Sequence, residues 1–153
     1  MQFNTSTGYA IHILIYLANN MKRIVPSVEL SENITVSQRY LLQIAGKLRE
    51  RGLVGVNKGM TGGYRLLHDP SQINLYDIIE HMEGGMVIPE NSGSAAVKNK
   101  MLNEAFILLN DYFTTYLRIM TIDRLTDKSE EEEWQTQISN RVEWHIASLN
   151  EMK

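Results

Sequence analysis

Residues 37–66, SQRYLLQIAGKLRERGLVGVNKGMTGGYRL, decide the fold. Ser37 is a good N-cap for a helix running to Arg51, and Gly52 stands where a residue past a helix end must accept the left-handed conformation. At 100° per residue, Leu41, Ile44, Ala45 and Leu48 share one apolar sector, while Arg39, Gln43, Gly46 and Lys47 point away and Tyr40 sits at the boundary. The outward face thus carries a guanidinium, an amide, an ammonium and a phenol. A plain solvated face satisfies that pattern, but so does a surface that reads base edges and grips phosphates.

The residues that follow favour the second reading. Leu53–Asn57 and Tyr64–Leu67 are short runs of β-formers, joined by Lys58-Gly59-Met60-Thr61-Gly62-Gly63. Three glycines in that turn predict a hairpin whose tip takes positive φ, flanked by Lys58 and Arg65. A basic hairpin directly after a basic helix is the arrangement of a winged helix, with the helix in the major groove and the wing on the backbone or in the minor groove. A phosphate-cradling nucleotide loop fails on spacing, because neither GxxxxGK[ST] nor GxGxxG occurs.

Working outward, residues 5–20 read as a helix capped by Thr5 or Ser6, with Ala10, Ile13, Leu14 and Leu17 at helical spacing. Ser27 caps a short helical segment, and Asn33-Ile34-Thr35-Val36 form a turn before Ser37. Two helices joined by that turn make a helix-turn-helix. Downstream, His68-Asp69 closes the wing before Pro70, Asn74 and Asp77 form a capping box, and Gly84-Gly85 end the next helix. Residues 85–97 are a loop by composition.

A long amphipathic helix is expected over 98–122, about 37 Å at 1.5 Å per residue. Met101, Ala105, Leu108, Tyr112, Thr115, Ile119 and Ile122 form one apolar row, and Leu102, Phe106, Leu109, Phe113, Leu117 and Met120 a second. Two rows exceed what a small winged helix covers, so the helix is expected to pack on a twin from another subunit, the alternative being that it folds back on its own domain. Ser129 and Glu132 make a further capping box for a C-terminal amphipathic helix over 129–150, with Trp134, Ile138, Val142, His145 (or Ile146) and Leu149 as its stripe. The fold class is mainly α with a small β-wing: winged helix-turn-helix over 1–84, connecting loop 85–97, dimerisation helix 98–125 and C-terminal helix 129–150.

Composition bounds the function. The 153 residues are 43% hydrophobic and carry a formal charge of −3, without one cysteine. Disulfides, thiolate catalysis and cysteine-held zinc or iron–sulfur centres are thereby excluded. No stretch is apolar for the roughly 18 residues of a membrane span, and the N-terminus has no basic-then-apolar secretion pattern, so a cytoplasmic location is expected. The charge is unevenly spread: up to Pro70 there are eight Lys/Arg against four acids, and beyond it seven against fourteen. A basic functional face beside an acidic remainder explains that split.

These residues resemble the Rrf2 family of bacterial winged-helix transcription regulators, the group of the IscR, NsrR and CymR types. The resemblance spans roughly residues 1–125 and rests on Gly8-Tyr9-Ala10, on the segment Ser37 to Ile44, on Lys47 to Val54, on the wing Lys58 to Leu66, on Ile73 to Ile79 and on Leu117 to Leu125. It implies a homodimer held by the long helix on a two-fold operator, with half-sites about 34 Å apart. One departure matters. Cluster-bearing relatives carry three cysteines before and at the start of the dimerisation helix, whereas Met86 to Met101 here has no cysteine, no histidine and only Glu90 as carboxylate. A cluster-free branch is expected, without cofactor or metal, whose signal is a small molecule, a protein or none.

The expected interface with double-stranded DNA comprises Ser37, Gln38, Arg39, Tyr40, Gln43, Lys47, Lys58, Gly59, Thr61, Gly62, Gly63, Tyr64 and Arg65. Arg39, Tyr40 and Gln43 reach base edges, Ser37 and Lys47 hold phosphates, and Lys58 with Thr61–Arg65 seats the wing. The competing function is a winged-helix protein-interaction module without DNA binding. An enzyme is disfavoured: His12, His68, His81 and His145 form no HxxxH or HExxH pair, and no Ser–His–Asp arrangement is suggested. The eight methionines read mainly as core, with an apolar effector pocket from Met82, Met86, Met101 and Met120 as the other use.

Overall fold

A computed structural model describes residues 3–59, 61–85 and 100–126, without the side chains of 100–103. The element order is α1 (Thr5–Ala18), α2 (Ser27–Ile34), α3 (Gln38–Glu50), β1 (Val54–Asn57), β2 (Gly63–Leu66), α4 (Leu75–Glu83), α5 (Lys100–Ile119) and α6 (Ile122–Thr126), with a short 3₁₀ turn at Pro70–Gln72. The C-terminal helix expected over 129–150, most of the 85–97 loop and the start of the long helix at Lys98 lie outside the described residues.

One core holds the winged helix together. Ala10, Ile13, Leu14 and Leu17 of α1, Leu30 of α2, and Leu41, Ile44, Ala45 and Leu48 of α3 are all buried, joined by Val54, Leu66, Ile78 and Met82. These are the positions that helical spacing picks out, so the apolar stripe and the observed inner faces coincide. Gly52 takes φ +74° behind α3, and Gly84 takes φ +79° behind α4. The Asn74 side chain accepts from the Asp77 N–H at 2.9 Å and donates to the Asp77 carboxylate at 2.9 Å, closing the capping box. Asp69 accepts from the Ser71 N–H at 2.9 Å, opening the 3₁₀ turn, and these bonds hold its carboxyl below its ordinary pKa.

Three local readings need correction. Helix α1 is capped by neither Thr5 nor Ser6. Asn4 holds the N-cap position, and the Glu83 carboxylate at the far end of α4 accepts from the Asn4 N–H at 2.8 Å, the Asn4 amide at 2.6 Å and the Thr7 hydroxyl. An anion at a helix N-terminus opposes the positive end of its dipole, and no local pattern announces one supplied 79 residues later. Ser27 is the first helical residue of α2, behind Pro26 in the capping position. The long helix stops at Ile119, not 122: Met120 and Thr121 run extended against Ile73–Asn74, with Leu75 N–H donating to Met120 O (2.8 Å) and Ile122 N–H to Ile73 O (2.9 Å). Ile122 therefore leaves the helix row and enters the winged-helix core on α6.

The C-terminal part of α5 is anchored on α4. Leu117 packs on Ile79 with Phe113 beside it, Arg118 reaches Asp77 at 3.6 Å, and its guanidinium lies 4.0 Å from the Tyr76 ring centre. Ile107, Leu108, Leu109, Tyr112, Tyr116 and Ile119 stay exposed, Tyr112 by 75%. No helix among the described residues is long and apolar enough to cross a membrane.

Candidate nucleic-acid interface

Helix α3 starts where Ser37 turns extended backbone into helix. Its φ is −64° and ψ 147°, and its hydroxyl oxygen accepts from the Tyr40 N–H at 3.2 Å, leaving the O–H free to donate outward. Before it, Thr35 at φ 59° supplies the left-handed residue that ends α2 and sets the turn between the two helices. Gln38, Arg39, Gln43 and Lys47 are all exposed. Tyr40 is half-buried, its ring edge-on to Tyr9 at 5.8 Å, so the phenol is braced by α1 at the boundary of the outer face. At the other end of α3, the His81 Nε2–H donates to the Lys47 carbonyl at 2.9 Å, tying the helix to α4.

The wing is an antiparallel pair in the register Val54↔Leu66, Gly55↔Arg65, Val56↔Tyr64 and Asn57↔Gly63. Lys58, Gly59, Thr61 and Arg65 are exposed, and Gly59 takes φ +110°. Gly62 closes the tip by donating its N–H to Gly59 O at 2.9 Å, in a space so tight that a Cβ would strike the carbonyl oxygens of Asn57 and Gly59. Two expected contact residues serve the interior instead. Tyr64 is 4% exposed and exchanges both backbone hydrogen bonds with Val25, at 2.9 and 2.8 Å. A Cβ on Gly63 would collide with the same Val25 carbonyl. Both root the wing on the segment before α2. Burial raises the Tyr64 hydroxyl pKa, opposed in part by the Arg49 charge.

The cations of the domain are concentrated on this surface. Arg39, Lys47, Arg49, Arg51, Lys58 and Arg65 are all exposed, and none has an ion pair among the described residues. Of the cations elsewhere, Arg23 forks onto Glu29, with Nη1 at 2.8 Å, and Arg118 reaches Asp77, whereas Lys22 and Arg124 are also exposed and without an ion pair among the described residues. Two acids stand close to these cations: Glu50 ends α3 between Arg49 and Arg51, and Glu83 is held below its ordinary pKa chiefly by the Thr7 hydroxyl and more weakly by the Lys47 charge. A row of exposed cations on a helix and hairpin is matched to a polyanion.

Sequence reasoning left out three residues of this surface. Arg49 and Arg51 extend the cationic row from α3 toward the wing. Leu42 is a large apolar side chain on the outer part of α3, 59% exposed. The helical wheel that placed Arg39 outward holds the signal for it, since Leu42 lies off the apolar sector.

A family model described as Rrf2, iron-dependent transcriptional regulator, matches residues 3–128. The chain belongs to the Rrf2 family. Its relatives include the regulator NsrR of Shouchella clausii, 27% identical over 78% of this chain and 83% of that protein. IscR of Cronobacter sakazakii is 28% identical over 85% of this chain and 83% of its own length. In three dimensions the chain is similar to CymR, the global cysteine regulator of B. subtilis, with a TM-score of 0.72, 26% identity, and 82% and 96% of the two chains covered. The family is one of transcription regulators, a non-enzymatic class, and these neighbours share the winged-helix fold.

The family description invokes iron, and the donor set does not fit a cysteine-held cluster. The sequence has no cysteine, and no group of three or more histidines and carboxylates that could hold a metal occurs among the described residues. Of the methionines considered for an effector pocket, Met82 and Met120 are buried, while Met86 and the side chain of Met101 lie outside the described residues.

Proposed function

We propose that this protein is a homodimeric repressor that binds a palindromic operator and works without an iron–sulfur cluster. The observation that carries the reading is the run of exposed cations from Arg39 to Arg65 on α3 and the wing, none of them in an ion pair among the described residues. Arg39 and Gln43 read base edges, with Tyr40 braced beside them. Ser37 and Lys47 hold phosphates, and Lys58, Gly59, Thr61, Gly62 and Arg65 lay the wing along the backbone. Gly63 and Tyr64 contribute by fixing the wing root. The exposed apolar side chains of α5, from Ile107 to Ile119, supply the face on which a second copy packs. Absence of cysteine supports a cluster-free regulator, with a small molecule or a protein as the remaining forms of signal.

A gel shift with DNA from upstream of the protein's own gene, at two salt concentrations, tests the reading. Binding that weakens with salt, and that Arg39→Ala and Lys58→Ala impair, supports it. No shift at either concentration favours a winged-helix module that contacts another protein, and unchanged binding by both variants refutes the residue assignment.

A further inference from the structure

Helix α3 carries one large apolar side chain that lies outside the core. Leu42 is 59% exposed and belongs to neither hydrophobic cluster of the domain. A lone exposed leucine is ordinary on a protein surface, so its position has to carry the weight. At roughly 100° per residue, Leu42 lies about 60° from Arg39 on the outer face, and Gly46 lies between them, about 20° from Arg39 and about 40° from Leu42. Leu42 is thus surrounded by Gln38, Arg39, Gln43 and Gly46, within the N-terminal half of the helix that enters the groove.

Gly46 gives a second, independent pointer. A glycine inside a helix is unfavourable relative to alanine, and a Cβ at Gly46 would meet nothing within 4 Å. Nothing among the described residues requires the missing side chain. Its absence instead lowers the helix surface next to Leu42, so that the backbone can approach a partner closely.

A duplex offers an apolar helix residue one apolar group in the major groove, the 5-methyl of thymine. We propose that Leu42 is a specificity-determining residue that packs on a thymine methyl in each operator half-site, next to the bases read by Arg39 and Gln43. The inference rests on the DNA-binding reading above and adds a base identity to it. Arg39 and Gln43 demand hydrogen-bonding edges; Leu42 demands a methyl group, and it disfavours cytosine at that position by leaving the exocyclic amine without a partner.

The test uses the full-length protein and a duplex selected from a random pool. Thymines of the bound operator are replaced by uracil in symmetric pairs, which removes the methyl and nothing else. One pair should weaken the native protein roughly fourfold per half-site, or roughly fifteenfold for both, as expected for one buried methyl each. Leu42→Ala should bind the thymine and uracil forms of that pair equally, and Leu42→Met should restore the discrimination. Its thermal midpoint should match the native one, because Leu42 lies outside the core. If no thymine pair distinguishes native protein from Leu42→Ala, or if Leu42→Ala binds the selected operator as the native protein does, the proposal is wrong. A pool that yields no bound duplex refutes the DNA-binding reading itself, and this inference falls with it.

Discussion

Helices α3 and α5 are both amphipathic, and among the described residues each has an outer face that nothing covers, but the two faces differ in kind. The outer face of α3 presents Arg39, Gln43 and Lys47, with Arg49 and Arg51 following. That of α5 presents Leu108, Tyr112 and Ile119. Exposed cations cost nothing in water and wait for a polyanion. A row of exposed large apolar groups leaves hydrophobic stabilisation unrealised until another apolar surface arrives. On the proposed reading these two surfaces have two different partners, DNA on α3 and a second copy of the chain on α5, so that covering the second would double the first.

The sharpest way to break this contrast is to charge α5. Leu108→Glu combined with Tyr112→Glu should give a monomer by sedimentation and weaken operator binding by about 10²–10⁴, the usual gain from linking two sites. An unchanged dimer would mean that another surface holds the subunits. Next in size is Arg39→Ala, expected to cost about 1–3 kcal/mol at one operator position and to relax preference there, measured by binding to a set of single-base variants. Lys58→Ala should instead weaken all sequences alike and flatten the salt dependence by about one phosphate per protomer.

Gly46→Ala divides stability from function. It should stabilise the fold by about 0.5–1 kcal/mol in chemical denaturation, because the new methyl meets nothing inside the domain, yet reduce operator affinity. Improved binding would mean that this part of α3 does not approach DNA closely.

The smallest effect concerns the junction that aims the helix-turn-helix. Glu29 on α2 accepts from Arg23 and from the Tyr16 hydroxyl at 2.8 Å, which lowers its carboxyl from 4.5 to about 2 and raises the Tyr16 hydroxyl. A folded-state value below the unfolded one contributes stability that is whole above pH 4.5 and fades as pH falls toward 2. Because the network is solvent-exposed, Glu29→Gln should lower the thermal midpoint at neutral pH by only about a degree or two. The gap between the two proteins should close on acidification through that window.

What sequence reveals here is what short-range periodicity encodes. The inner face of α3 follows from Leu41, Ile44, Ala45 and Leu48, its start from Ser37 and its end from Gly52. The capping box at Asn74 needs only its neighbour three residues on. What stays hidden depends on distant partners. Tyr64 reads as a wing residue until Val25, far upstream, pairs with it and pulls it inside. Met120 and Ile122 continue the helical spacing of α5, and only the extended segment at Ile73–Asn74 converts them into a break and a core anchor. Glu83 looks like an ordinary helix-end acid, though it caps α1. Leu42 stays hidden for another reason: a single leucine off the apolar sector has the look of any exposed apolar residue.

The central claim is that α3 and its wing neutralise DNA phosphates from two protomers at once. The most direct measurement is the affinity for the selected operator as salt rises from 50 to 200 mM. Six to ten phosphate contacts across the dimer predict a loss of about 10³–10⁵ in affinity, linear in logarithmic coordinates. Binding that ignores salt, or none even at 50 mM, would contradict the account.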